Sequence, residues 1–194
     1  MMRRRTVIKS LGALGILGLS SGTYVGFRWN LFTSGTDLKA LDEASLMLKS
    51  LVNIIIPPTD SPGAAECNVH EFVILMVKES ADRRSQINFA EGVKDLQSYA
   101  VKETGKRFEE CTVEEQISIA KVFDTKGRPL PGIFGKAKHK FLGKSFFTVL
   151  KQYTSIGYFT SMQGATKALS YVAIPTRYEA CVNLSDYPKS WATE

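Results

Sequence analysis

The sequence predicts an all-α fold, a compact single-domain helical bundle of about five to six helices behind an N-terminal signal segment. Three observations predict it. Apolar residues recur at spacings of three and four along most of the chain. Helix-capping residues stand in front of several of those runs, and no period-two run is long enough for a strand. The most apolar run is Phe146, Phe147, Val149, Leu150 and Tyr153, with Ile156 continuing the row. It predicts a central helix starting near Lys138, which other helices must cover. Gly157 lets that helix approach a neighbour closely, and Phe159 adds a large apolar surface.

Taken in order, residues 1–30 read as an address. Arg3, Arg4 and Arg5 precede a weakly apolar run from Leu11 to Leu19 that three glycines dilute. The run is too short for a confident membrane span. Arg4 and Arg5, followed by Val7, Ile8 and Lys9, resemble the twin-arginine signal that directs folded bacterial proteins across the inner membrane. Other readings of this stretch are an ordinary secretory signal and a membrane anchor that is never cleaved.

The helical domain is expected over residues 37–194, long enough to bury its own core. Asp42 is placed to cap a helix with Leu46, Leu48, Leu51, Val52 and Ile55, which Pro57 and Pro58 must end. Thr59 to Gly63 then reads as a tight turn, with Asp60 able to bond backbone amides. Asn68 and Glu71 have capping-box spacing before a helix with Phe72, Leu75 and Met76. A longer helix is expected from about Ile87 to Thr104, burying Phe89, Val93, Leu96 and Tyr99 and stopping at Gly105. Thr112 and Glu115 repeat the box before a helix with Ile117, Ala120 and Val122. Residues 126–136 read as a loop, and a short helix is expected from about Gln163 to Leu169.

Charge narrows the partners. The net charge is +6, of which Arg3, Arg4, Arg5, Lys9 and Arg28 supply five, and no acid precedes Asp37. The domain is therefore nearly neutral, which argues against nucleic-acid binding. It is polarised along the chain, however. No acid lies between Asp124 and Glu179, where nine lysines and arginines do. These charges either cancel on solvated faces or form a basic surface that meets an acidic partner or lipid headgroups.

Catalytic chemistry is hard to find. His70 and His139 have no cysteine or carboxylate at metal-ligand spacing, and both are expected to be solvated. There is no dinucleotide fingerprint, no phosphate-binding loop and no Cys-x-x-Cys-His. No catalytic, cofactor-binding or metal-ligating residue is assigned. Cys67, Cys111 and Cys181 are odd in number. They allow one bridge in an oxidising compartment, or three small buried apolar residues.

Several pieces together resemble the gluconate 2-dehydrogenase subunit 3 family. They are Ile55 to Ala64, Val69 with Phe72, Phe108, Glu115-Gln116, Phe146-Phe147, Leu150, Thr154, Gly157 to Ser161, Gly164, Tyr171, Ile174-Pro175, Tyr178 and Cys181. The resemblance covers residues 38 to 183, and Cys67 and the lysine-rich loop depart from it. It implies a non-catalytic small subunit that binds and stabilises a large FAD-dependent dehydrogenase of the glucose-methanol-choline type, acting on a sugar, alcohol or sugar acid. The small subunit would escort it through the twin-arginine translocon to the periplasm at the inner membrane. A third, cytochrome subunit would carry haem c, and the membrane would be reached through the complex or an uncleaved N-terminus. On this resemblance Tyr158, Phe159, Tyr178 and Cys181 are expected to face the large subunit. Cys181 would bridge to that partner, or internally to Cys67. The competing functions are an enzyme acting through Tyr158, Ser161 and His139, and a free-standing periplasmic binding or envelope protein.

Overall fold

The computed structural model describes residues 38–128, 143–174, 181, 183, 185 and 189–192. Among these the regular structure is helical, with six α-helices, a 3-10 turn and a π turn. The first helices, α1 (Ala40–Glu43) and α2 (Ser45–Ile55), are separated only by a kink at Ala44. Asp42 lies inside α1 rather than capping α2, and its carboxylate accepts two bonds from Lys78 Nζ, at 2.7 and 2.8 Å. Met47, Leu48, Leu51 and Val52 are buried, whereas Leu46 points to solvent. Pro57 and Pro58 stop α2 as expected, since neither can donate the next helical bond.

Helix α3 spans Val69–Glu79 and differs from the expected one in its start and its face. Asn68 sits in the left-handed region, φ +53°, and its side chain makes no cap bond. Capping needs an extended backbone at that position, so the Asn68–Glu71 box cannot close. The helix buries Val69, His70, Val73, Ile74 and Val77, leaving Leu75 exposed. Helix α4 (Arg83–Thr104) begins four residues before Ile87, because Asp82 caps it by accepting from the Ser85 amide. It ends at Gly105, whose φ of +73° suits glycine.

The 3-10 turn Phe108–Glu110 leads into α5 (Val113–Gly127), where the Thr112–Glu115 box closes in both directions. Gln116, Ile119 and Ala120 face inward, rather than Ile117 and Val122. Buried Gln116 donates to the carbonyls of Phe108 and Cys111, fastening the turn to the helix.

Helix α6 spans Phe146–Thr160 and does not begin near Lys138. Gly143 has φ +77° and Ser145 is extended, so the helix cannot run back through them. This entry is held by bonds from the Lys144 amide to Ser85 Oγ and from Ser145 Oγ to Gly127 O. The central position is as expected: α6 touches α2, α3, α4, α5 and the π turn Gly164–Ala168. Its buried row runs through Phe146, Phe147, Leu150, Thr154, Gly157 and Tyr158, while Ile156 is exposed.

Two glycines set the spacing around α6. A Cβ on Gly92 of α4 would land on Phe146 Cβ, and one on Gly157 would meet Phe72 Cδ1 at 2.5 Å and Val69 Cγ1 at 3.1 Å. Each glycine weakens its own helix by roughly 0.5–1 kcal/mol, and close packing offsets this. Among the described residues no helix is long and apolar enough to cross a membrane.

Candidate functional site

Helix α6 ends where several scattered sequence pieces meet. Tyr158 is only 2 % exposed, and its hydroxyl donates to Pro62 O at 2.8 Å and lies 3.1 Å from Ser61 Oγ. The proline turn is itself folded back, with the Ala64 amide donating to Ile56 O and the Thr59 amide to Ser61 O. It therefore presents a ready acceptor to a tyrosine almost a hundred residues away. Asp60 takes no part: it is exposed, and among the described residues its side chain makes no hydrogen bond. The turn is held by backbone bonds and by Tyr158 instead.

One turn further on, Ser161 Oγ donates to Tyr158 O at 2.7 Å and accepts from the Gly164 amide at 3.0 Å. A Cβ on Gly164 would collide with Tyr158 O, so the chain can reverse here only through glycine. The hydroxyls of Tyr158 and Ser161 are thus engaged in holding the helix end, and neither is placed as an activated nucleophile. Beside them Cys67 Sγ approaches Gln163 Oε1 at 3.8 Å.

Burial inside the domain corrects the expectation for Tyr158. Its side chain is a contact between the proline turn and α6, whereas its neighbour Phe159 is 45 % exposed. Among the described residues, eleven large apolar side chains are exposed, and six of them lie between residues 156 and 174. These are Ile156, Phe159, Met162, Tyr171, Val172 and Ile174, with Met162 and Ile174 nearly bare at 79 % and 77 %. Apolar side chains exposed singly are ordinary on a folded domain, and their concentration in this stretch makes it the candidate surface. The end of the chain returns to the same place, since Ser170 and Trp191 form a parallel bridge and Lys189 Nζ donates to Lys167 O.

The cysteines are free thiols: Cys67 is half-buried, Cys111 buried and Cys181 exposed. Cys111 Sγ lies 3.3 Å from both Thr104 Oγ1 and Arg107 O, which gives it a place in the packing of the 3-10 turn. Arg4, Arg5, Val7, Ile8, Lys9, His139 and Tyr178 lie outside the described residues.

The basic interval is partly absorbed within the domain. Lys151 and Arg128 both pair with Asp124, and the Lys151 bond leads in holding its carboxyl below the usual range. Lys126 rests over the rings of Tyr99 and Phe123.

His70 was expected in solvent and is instead buried, because α3 turns its Val69–His70 edge inward. Its Nδ1 makes no hydrogen bond, and burial holds its pKa below the ordinary 6.5. The neutral form is the one folded in, so the unfolded state binds the extra proton. Stability is complete above the unfolded pKa of about 6.5 and falls as the pH drops below it. Melting curves at stepped pH should therefore show a decline on acidification that His70→Gln reduces. An identical acid profile in the variant would remove His70 as its source.

Among the described residues no cluster of three or more His, Cys, Asp and Glu side chains is placed for a metal ion. Among the described residues, one shallow groove is lined by Asp42 and Glu71 with Lys78, and another by Glu103 and Glu115 beside Tyr99. Their carboxylates suit neither a pyrophosphate nor a flavin dinucleotide.

The family model for gluconate 2-dehydrogenase subunit 3 matches residues 42–175. The chain belongs to the gluconate 2-dehydrogenase subunit 3 family. No curated protein and no solved structure matches it significantly. The matched span takes in every α-helix of the described domain from within α1 through α6. It also contains the proline turn, Gly157, Tyr158 and Gly164, which meet at the end of α6.

Proposed function

We propose that this chain is the non-catalytic small subunit of an FAD-dependent, glucose-methanol-choline-type dehydrogenase that oxidises a sugar, alcohol or sugar acid. The family is that of an accessory subunit of a dehydrogenase complex, which supports a dehydrogenase partner. The observation that carries the reading is the set of exposed apolar side chains at residues 156–174. A chain that worked alone would leave that surface in water at a cost in solubility. In this reading FAD belongs to the large subunit and haem c to a cytochrome subunit. The small subunit binds the flavoprotein, stabilises it and escorts it through the twin-arginine pathway to the periplasmic side of the inner membrane.

Export gives the direct test. Arg4 and Arg5 before Val7-Ile8-Lys9 motivate the substitution of both arginines by lysine. The double variant is expected to leave this chain and the dehydrogenase activity together in the cytoplasm. Periplasmic activity at the wild-type level in that strain would refute the escort role. A free-standing envelope protein predicts another result, namely that the purified native chain is colourless and carries no stoichiometric flavoprotein.

A further inference from the structure

We propose that His70 makes the entry of α3 an acid-sensitive latch. When its imidazole takes a proton, the first turn of α3 comes away from α6 and the proline turn is released with it, ahead of the rest of the domain.

Placement gives this histidine the role. It is the second residue of α3 and only 6 % exposed, and its Nδ1 is enclosed without a hydrogen-bond partner. In the neutral ring Nδ1 can remain a bare acceptor. In the charged ring both nitrogens carry a proton, so Nδ1 becomes a buried donor with nothing to accept from it. The positive charge would also lie beside the amide end of the helix, where the dipole repels cations. The groups around it add to this on balance. Burial leads in lowering the proton affinity of the ring, Glu71 on the same helix raises it, and Lys49 of α2 lowers it again. Glu71 is exposed to water, as are Asp60 and Glu66 on the preceding turn. Gly157, the residue of α6 that meets this turn, brings no charge.

The same turn carries the contacts that a displaced ring would disturb. Asn68 enters α3 at φ +53° without a side-chain cap. Backbone bonds close the entry, from the Val69 amide to Ala64 O and from the Glu71 amide to Asn68 O, each 3.1 Å. Val69 is also the residue whose Cγ1 lies against Gly157. Ala64 in turn closes the proline turn through its own amide bond to Ile56 O, and Pro62 O in that turn accepts from Tyr158. Moving the ring into water therefore loosens a contiguous set of contacts that ends at α6. Helices α4 and α5 are entered through caps at Asp82 and Thr112 that contain no histidine. The chain has one other histidine, His139, and histidine is the side chain that ordinarily titrates near neutral pH.

The sign follows from the ring being stored neutral. The open form has the ordinary affinity for a proton, so it gains on the closed form as the pH falls below about 6.5 and gains nothing above it.

Hydrogen exchange of the natively purified full-length chain, corrected for the chemical rate, tests the latch. Between about pH 7.5 and about pH 5.5 the amides from Ala64 to Phe72 should lose protection by up to about tenfold, the limit for one proton over this range. Those of α5 should change less, and His70→Gln should remove the difference. The same loss in the variant would overturn the latch. So would a loss of equal size throughout the wild-type domain, which is global unfolding and not a local release. Should the variant fail to fold, the wild-type ring decides. Its proton resonances, assigned with His139→Gln, should titrate below the ordinary 6.5 and over the range in which protection is lost. A midpoint at or above that value would overturn the proposal.

Discussion

Gly92→Ala is expected to destabilise the domain by about 2–3 kcal/mol, a large effect for one methyl group. The new Cβ would fall on Phe146 Cβ and within 3.0 Å of its Cγ and Cδ1. A rotamer change cannot relieve this, because the position of Phe146 Cβ is set by the backbone of α6. Phe146 also packs edge-to-face on Phe89 at 5.0 Å and on Phe147 at 6.1 Å, so its ring has little room. Alanine would strengthen α4 as a helix by up to about 1 kcal/mol, which is smaller than the overpacking term. A melting temperature lower by roughly 4–10 °C is therefore expected for a chain of this size. Thermal unfolding followed by circular dichroism checks it, and an increase would mean that α4 and α6 can separate without loss. Gly157→Ala should be milder, since its nearest neighbours are side-chain atoms of Phe72 and Val69.

Tyr158 carries the second large effect. Tyr158→Ala should cost about 3–4 kcal/mol by emptying a buried ring position at the end of α6. Tyr158→Phe keeps the ring and loses the bonds to Pro62 O and Ser61 Oγ, so about 1 kcal/mol is expected. Both losses should appear in the chain without its partner, because the contacts lie within it. The pair of variants separates two roles that the sequence left entangled. An interface residue would weaken association of the complex while leaving the melting temperature of the free chain unchanged. That result for Tyr158→Ala would contradict the buried position.

The two glycine effects and the tyrosine effect differ in how far the sequence announces them. Gly157 after an aromatic row signals close approach, and its contact with Phe72 and Val69 bears that out. Gly92 carries no such signal, lying within a run of ordinary helical spacing; only the crossing of α4 on Phe146 makes it matter. Tyr158 looks like an interface anchor because a large amphipathic ring near a helix end suits one. Its hydroxyl finds its partner in a turn whose distance in space no spacing rule supplies.

Local signals carried most of the helix boundaries. Pro57 and Pro58, the Thr112–Glu115 box and Gly105 act within a turn of the residues they govern, so they are legible in one dimension. The all-α class and the central position of α6 follow equally from periodicity, which is a property of neighbours along the chain. The burial of His70 was not legible for the complementary reason. Which stripe of a moderately apolar helix turns inward depends on what packs against it. In α3 the close crossing with Gly157 selects Val69 and its neighbours over Leu75.

By itself the sequence determined the fold class, most of the helix boundaries and the family. Each rests on local propensity or on a pattern of residue types in order. Tertiary structure alone decided which apolar residues remain outside. Ile156 lies on the same helix as Leu150 and Thr154, yet α2 to α5 cover only one side of it. Helix propensity is blind to that choice. The free energy of burial depends on the area a neighbour removes from water, and only the packed arrangement contains that quantity.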